Sequence, residues 1–154
     1  MIVGVTSGSG TGRSWREEEY IMFQIDHVCL SVENVEKSIA FYEALDFKTA
    51  NSYKAPGGSL EIHTLKDKAG AILELFHYAS HKPAPEHTRD HNTDLPVVGI
   101  KHFGLRVVSI EKALKALNEK GFASDVKIST GRLGRDYFFI ADPSGILVEI
   151  IEEP

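Results

Sequence analysis

The apolar positions along the chain fall into two matched series. Residues 25–32 form a short apolar-rich run suited to a strand, and Val35, Ile39, Tyr42 and Leu45 then recur at helical spacing. Asn34 stands where an N-cap belongs. The same order returns at 100–107, followed by Ser109 as a cap, by Ile110, Leu114 and Leu117 on one helical face, and by Gly121 as a C-terminal stop. Further strands are expected at 49–53, 60–65 and 71–78 in the first series, and at 124–128, 136–140 and 146–151 in the second. The turns KDKAG and ADPSG each use Gly for a tight bend. Each series reads β-α-β-β-β. The predicted class is therefore α+β, two tandem βαβββ repeats.

One offset of 75 residues relates the series. It carries His27 onto His102, Leu30 onto Leu105, Val32 onto Val107, Glu36 onto Glu111 and Phe47 onto Phe122. Without a gap it also carries Asp67 onto Asp142, Gly70 onto Gly145 and Glu74 onto Glu149. In both halves 47 residues separate the His from the Glu. The organisation expected is one domain over 22–154, with repeats at 23–78 and 100–153. A Pro-rich polar connection spans 79–99. Residues 1–21 are rich in Gly, Ser, Thr and charge, have no repeat partner, and read as a disordered arm that includes Trp15.

Strand alternation assigns the faces. Ile25, His27, Cys29 and Ser31 share one face, and Val28, Leu30 and Val32 the other. In the second half His102, Gly104 and Arg106 oppose Phe103, Leu105 and Val107. Glu74 lies with Ile72 and Phe76, and Glu149 with Leu147 and Ile151. A carboxylate among apolar strand neighbours is costly unless it is paired or metal-bound. A single strand His or Glu would carry little weight, but four residues at one offset point to a shared site. Two neutral imidazoles and two carboxylates neutralise one divalent cation, and the donor set suits Zn, Ni or Co, with Mn and Fe(II) also compatible. His27, Glu74, His102 and Glu149 are the candidate ligands. The remaining His have weaker claims: His63 is on a strand but its repeat partner is Phe138, and His77, His81, His87 and His91 crowd the end of the first half and the connection and read as mostly surface residues.

Composition narrows the picture. The chain has 154 residues, 42% hydrophobic and 25% charged, with a net charge of -5. That is enough apolar content for a core, and no basic stripe favours nucleic acid. No apolar stretch reaches the length of a membrane span. The lone cysteine, Cys29, fits a reducing, cytoplasmic setting and reads as a small packed hydrophobe.

The segments DHVCLSV, SIAFYEALDF, LELF, IKHFGL and FFIADPSGILVEIIE resemble the vicinal oxygen chelate superfamily over roughly residues 23–153. That superfamily includes glyoxalase I, methylmalonyl-CoA epimerase, fosfomycin-resistance enzymes, ring-cleaving dioxygenases and metal-free bleomycin-binding proteins. The resemblance implies that the repeats form a curved mixed sheet, a cup around a metal held by His27, Glu74, His102 and Glu149. It also implies a small-molecule substrate and a homodimer, and leaves open whether the cup closes within one chain or across two. Glu74 matches the glyoxalase I pattern, where epimerases usually carry Gln. The activity implied is lactoylglutathione lyase-like: proton transfer next to a carbonyl through a metal-stabilised enediolate, with Glu149 as first base and Glu74 as second. The alternatives are an epimerase-like isomerase and a non-catalytic binding or resistance protein. Two departures count against glutathione recognition: Ser31 replaces the usual Arg four residues after the first ligand, and Tyr78 replaces the usual Asn four residues after the first Glu. Arg106, at the repeat equivalent of Ser31, and Arg132 and Arg135, in the loop STGRLGR, are the candidate groups for gripping an anionic substrate.

Overall fold

The computed structural model describes residues 23–154, so the expected arm at 1–21 lies outside the described residues. The first half comprises β1 (His27–Ser31), α1 (Val35–Ala44), β2 (Lys48–Lys54), β3 (Leu60–Lys66) and β4 (Ile72–Tyr78). The second comprises β5 (Phe103–Val107), α3 (Ile110–Glu119), β6 (Ser129–Thr130), β7 (Asp136–Ala141) and β8 (Leu147–Glu152). Between them α2 (His91–Asp94) and a preceding 3-10 turn (Glu86–Arg89) interrupt the connection. Both helices start as their sequences predict: the Asn34 side chain accepts from the Lys37 amide, and the Ser109 side chain from that of Lys112. No helix among the described residues is long and apolar enough to cross a membrane.

Each half builds its own four-stranded mixed sheet, in the orders β1-β4-β3-β2 and β5-β8-β7-β6. The first strand of each half runs parallel to the last and stands at a sheet edge. The expected strand at 124–128 does not form. Asp125 takes a positive φ there, and pairing begins only at the two-residue β6. β6 and β7 are joined by a short turn in which Gly131 donates to the Arg135 carbonyl, leaving few residues to pair.

Strand alternation sends one face of each sheet inward. Leu30, Val32, Leu65, Leu73 and Leu75 from the first sheet meet Phe138, Ile140, Val148 and Ile150 from the second in one core cluster. α1 and α3 contribute Val35, Phe41, Tyr42, Ile110 and Leu117 to the same cluster. The halves thus share one core. The reverse faces, which carry His27, Cys29 and Ser31 in the first half and Gly104 and Arg106 in the second, stay open to solvent or partly so. Cys29 is exposed, not packed inside as its apolar neighbours suggested, because it alternates with buried Leu30.

Candidate metal centre

On the open face of the first sheet, His27 opens β1 and Glu74 sits mid-β4, one strand over and opposite Cys29. Their side chains meet: Nε2 of His27 lies 3.2 Å from Oε2 of Glu74. The second half repeats the arrangement, with Nε2 of His102 3.5 Å from Oε2 of Glu149. Two donors held by a cation at ordinary Zn–N and Zn–O lengths, at tetrahedral to right-angled geometry, stand about 3.0–3.4 Å apart. Each pair therefore presents two of a cation's ligands at close to the required spacing. Nδ1 of His102 is buried with no hydrogen-bond partner, so Nε2 is the nitrogen facing the carboxylate.

One chain does not gather all four residues. Among the described residues no group of three or more His, Cys, Asp or Glu side chains could hold a metal ion. The reason is the shared core: each pair lies on the face its sheet turns away from that core, so packing the halves together keeps the pairs apart.

The two pairs have different surroundings. Oδ2 of Asp26 lies 2.9 Å from Nδ1 of His27, and this hydrogen bond, aided by the Glu74 charge, raises the imidazole pKa above its ordinary value. A carboxylate behind a ligating His fixes its tautomer and orientation. The repeat partner of Asp26 is Lys101, which instead pairs with buried Asp94 at 2.8 Å. His102 is packed by rings, with the His91 centroid at 5.6 Å and that of Phe139 at 5.0 Å. Beside the carboxylates the neighbours differ too. Cys29 stands next to Glu74, and although the residue is exposed, its thiol is raised, chiefly by partial loss of solvent against the sheet and then by the Glu74 charge. Gly104 stands next to Glu149, and a Cβ there would come within 3.4 Å of Glu149 Oε2.

Asp26 and Phe139 escaped the sequence reading, and His91, read there as a surface residue, packs on His102 and Phe139. Asp26 and His91 have no repeat equivalent of their own chemistry, and Phe139 reads as an ordinary strand hydrophobe. The adjacency of Asp26 to the first ligand was the one available signal. Of the expected anion-gripping residues, Arg106 is exposed on the open face two residues beyond Gly104, and Arg132 is exposed in the β6–β7 turn. Arg135 is half-buried, and its guanidinium donates from Nε and Nη2 to the Glu152 carbonyl. It braces the turn against β8, and binding an anion there would break that contact.

Paired His–Glu donors on equivalent strands of two βαβββ repeats define a glyoxalase-like fold. The family model of the Glyoxalase/Bleomycin resistance protein/Dioxygenase superfamily matches residues 24–150, and the chain belongs to that superfamily. It is 28% identical over 139 residues to a lactoylglutathione lyase of Schizosaccharomyces pombe, covering 85% of this chain but only 45% of that protein. It is 27% identical over 135 residues to the uncharacterized protein YwkD of Bacillus subtilis, covering 86% of this chain and 99% of that one. Among solved structures it is similar to a glyoxalase family protein from Enterococcus faecalis, with a TM-score of 0.71 and 24% identity. That match covers 86% of this chain and 100% of the other, and it shows the fold alone.

Proposed function

We propose that the chain is a divalent-metal-dependent, lactoylglutathione lyase-like enzyme that transfers a proton next to a carbonyl, and that two copies assemble its site. The observation that carries this reading is the pair of His–Glu couples, each spaced for a cation and each facing away from the chain's own core. His27 and Glu74 of one copy would be joined by His102 and Glu149 of another, completing two nitrogen and two carboxylate donors. Zn, Ni or Co suits that set best. The edge strands β1 and β5 favour such a union. They are led by Phe23, Ile25, Val98 and Ile100, all almost fully exposed in the single chain and matched pairwise by the repeat offset.

A divalent cation bound there would act as a Lewis acid, polarising the substrate carbonyl and stabilising the negative charge left when the neighbouring C–H proton departs. Glu149 takes that proton and returns it to the adjacent carbon, which gives isomerisation. Gly104, opposite Glu149 on the next strand, puts no side chain of its own against that carboxylate, where a Cβ would stand 3.4 Å from Oε2. Glu74, flanked by Cys29, serves mainly as a ligand. Arg106 faces the same side as Glu149 and supplies positive charge for an anionic group of the substrate. With Ser31 and Tyr78 on the first half's open face, that anion need not be the glutathione carboxylate.

Mixing variants tests the assembly and the chemistry together. His27→Ala and His102→Ala should each bind little metal alone. Mixed and allowed to exchange subunits at random, they should recover about a quarter of the wild-type sites, because half the dimers are mixed and each mixed dimer rebuilds one of two sites. Proton exchange in heavy water, followed with hemithioacetals, 2-oxo acids and acyl-CoA esters, then reports turnover and separates lyase from epimerase-like behaviour. No recovery on mixing would overturn the two-copy site.

A further inference from the structure

The repeat symmetry that places the ligands also makes one half a template for the other, and on the inner side the two halves differ. α1 presses Phe41 and Tyr42 into the core, both essentially fully buried. Phe41 meets Phe122 edge-on at 5.2 Å between centroids, and the Tyr42 hydroxyl donates to Oδ2 of Asp142 in the β7–β8 turn. The Glu33 amide donates to Ser144 in that same turn. On the other side of the pseudo-dyad the offset puts Ala116 and Leu117 in place of Phe41 and Tyr42, and Ala69 in place of Ser144. The β3–β4 turn is therefore not fastened to α3 in the same way.

What remains is a hollow of about 390 Å³, with Phe47, Leu105, Ala116, Leu117 and Ile150 among its walls and Asp67 and Lys68 at one side. Leu105 and Val107 are only partly buried there, whereas their repeat partners Leu30 and Val32 are buried. The turns themselves are alike. Asp142 Oδ1 accepts the amides of Ser144 and Ile146, and Asp67 Oδ1 accepts the amide of Ala71. At Asp142 the second oxygen meets a tyrosine, and at Asp67 no tyrosine stands opposite.

We propose that this hollow, between α3 and the β3–β4 turn, is a binding site for a small phenol, whose ring takes the place of the missing Tyr42 equivalent and whose hydroxyl donates to Asp67. The volume lies in the range of small-molecule pockets, which are mostly apolar with a few placed polar groups. The site lies on the core side of the sheets, apart from the His–Glu pairs, and requires no metal.

The test uses 4-methylphenol as probe on the full chain, with and without added Zn. Expected is a saturable perturbation of the Ala113, Ala116, Leu105 and Ile150 methyl NMR signals, one site per chain, equal in both metal states. Toluene, which lacks the hydroxyl, should bind about tenfold more weakly. Leu117→Tyr should abolish the response and raise the melting temperature by itself, since it supplies the ring internally. If that variant does not fold, Ala116→Phe fills the same space from the next position. Absence of a saturable methyl response, or an unchanged response in the filled variant, overturns the proposal. Toluene binding as tightly as the phenol overturns the role of Asp67.

Discussion

Glu74 and Glu149 hold equivalent positions but have different neighbours, and this separates their expected behaviour. Glu149→Gln keeps a donor oxygen and removes the basicity. At equal metal occupancy it should lower turnover by about 100-fold or more, the usual range for a general base. Glu74→Gln should cost far less if, as proposed, Glu74 serves as a ligand and not as the base, and steady-state kinetics on metal-loaded protein decide between them. Gly104→Ala should resemble Glu149→Gln in part, slowing turnover while metal content stays near normal, since the new methyl sits against the base. Asp142 gives a pH prediction. Its carboxyl is raised, chiefly by burial, while the Ile146 and Ser144 amides and the Tyr42 hydroxyl hold it partly down. The folded state therefore binds this proton more readily than the unfolded chain does. The contribution to stability is present at low pH and is lost as pH rises from the ordinary value of 3.8 through the raised one. Asp142→Asn should flatten that part of the stability profile, as urea titrations at closely spaced pH values would show.

At the scale of elements, the helix caps explain why the helices were legible. Asn34 and Ser109 meet orphan amides at matched positions, and Asn34→Ala or Ser109→Ala should each cost about 1 kcal/mol in chemical denaturation. Strand alternation likewise revealed which residues share a face, because buried residues alternate with more open ones along β4, β7 and β8, whereas β2 is exposed along its whole length and shows no such contrast. The short β6 was not legible, since nothing local in 124–130 separates a strand from a turn that follows Asp125. Nor was α2, four residues long, whose His91 ring packs 4.4 Å from Phe139. That contact depends on tertiary placement and leaves no periodic trace. The four candidate ligands came from the repeat offset, whereas the position of each pair on an outward face depends on how the halves pack.

At the scale of the molecule, the shared core has a consequence for how such a chain could arise. A single βαβββ unit expressed alone would lose the other half's share of this core: Phe41, buried here, meets Phe122 of the second half, and Leu30, Val32 and Leu75 belong to the same cluster. It would have to find a second unit in solution, at a rate set by concentration. Joining two units through residues 79–99 turns that encounter into an intramolecular one, at an effective concentration fixed by the tether. Once joined, the copies no longer need to fit themselves, only each other. One can keep a tyrosine where the other keeps a leucine, and so a duplicated gene gains positions to specialise without losing the fold.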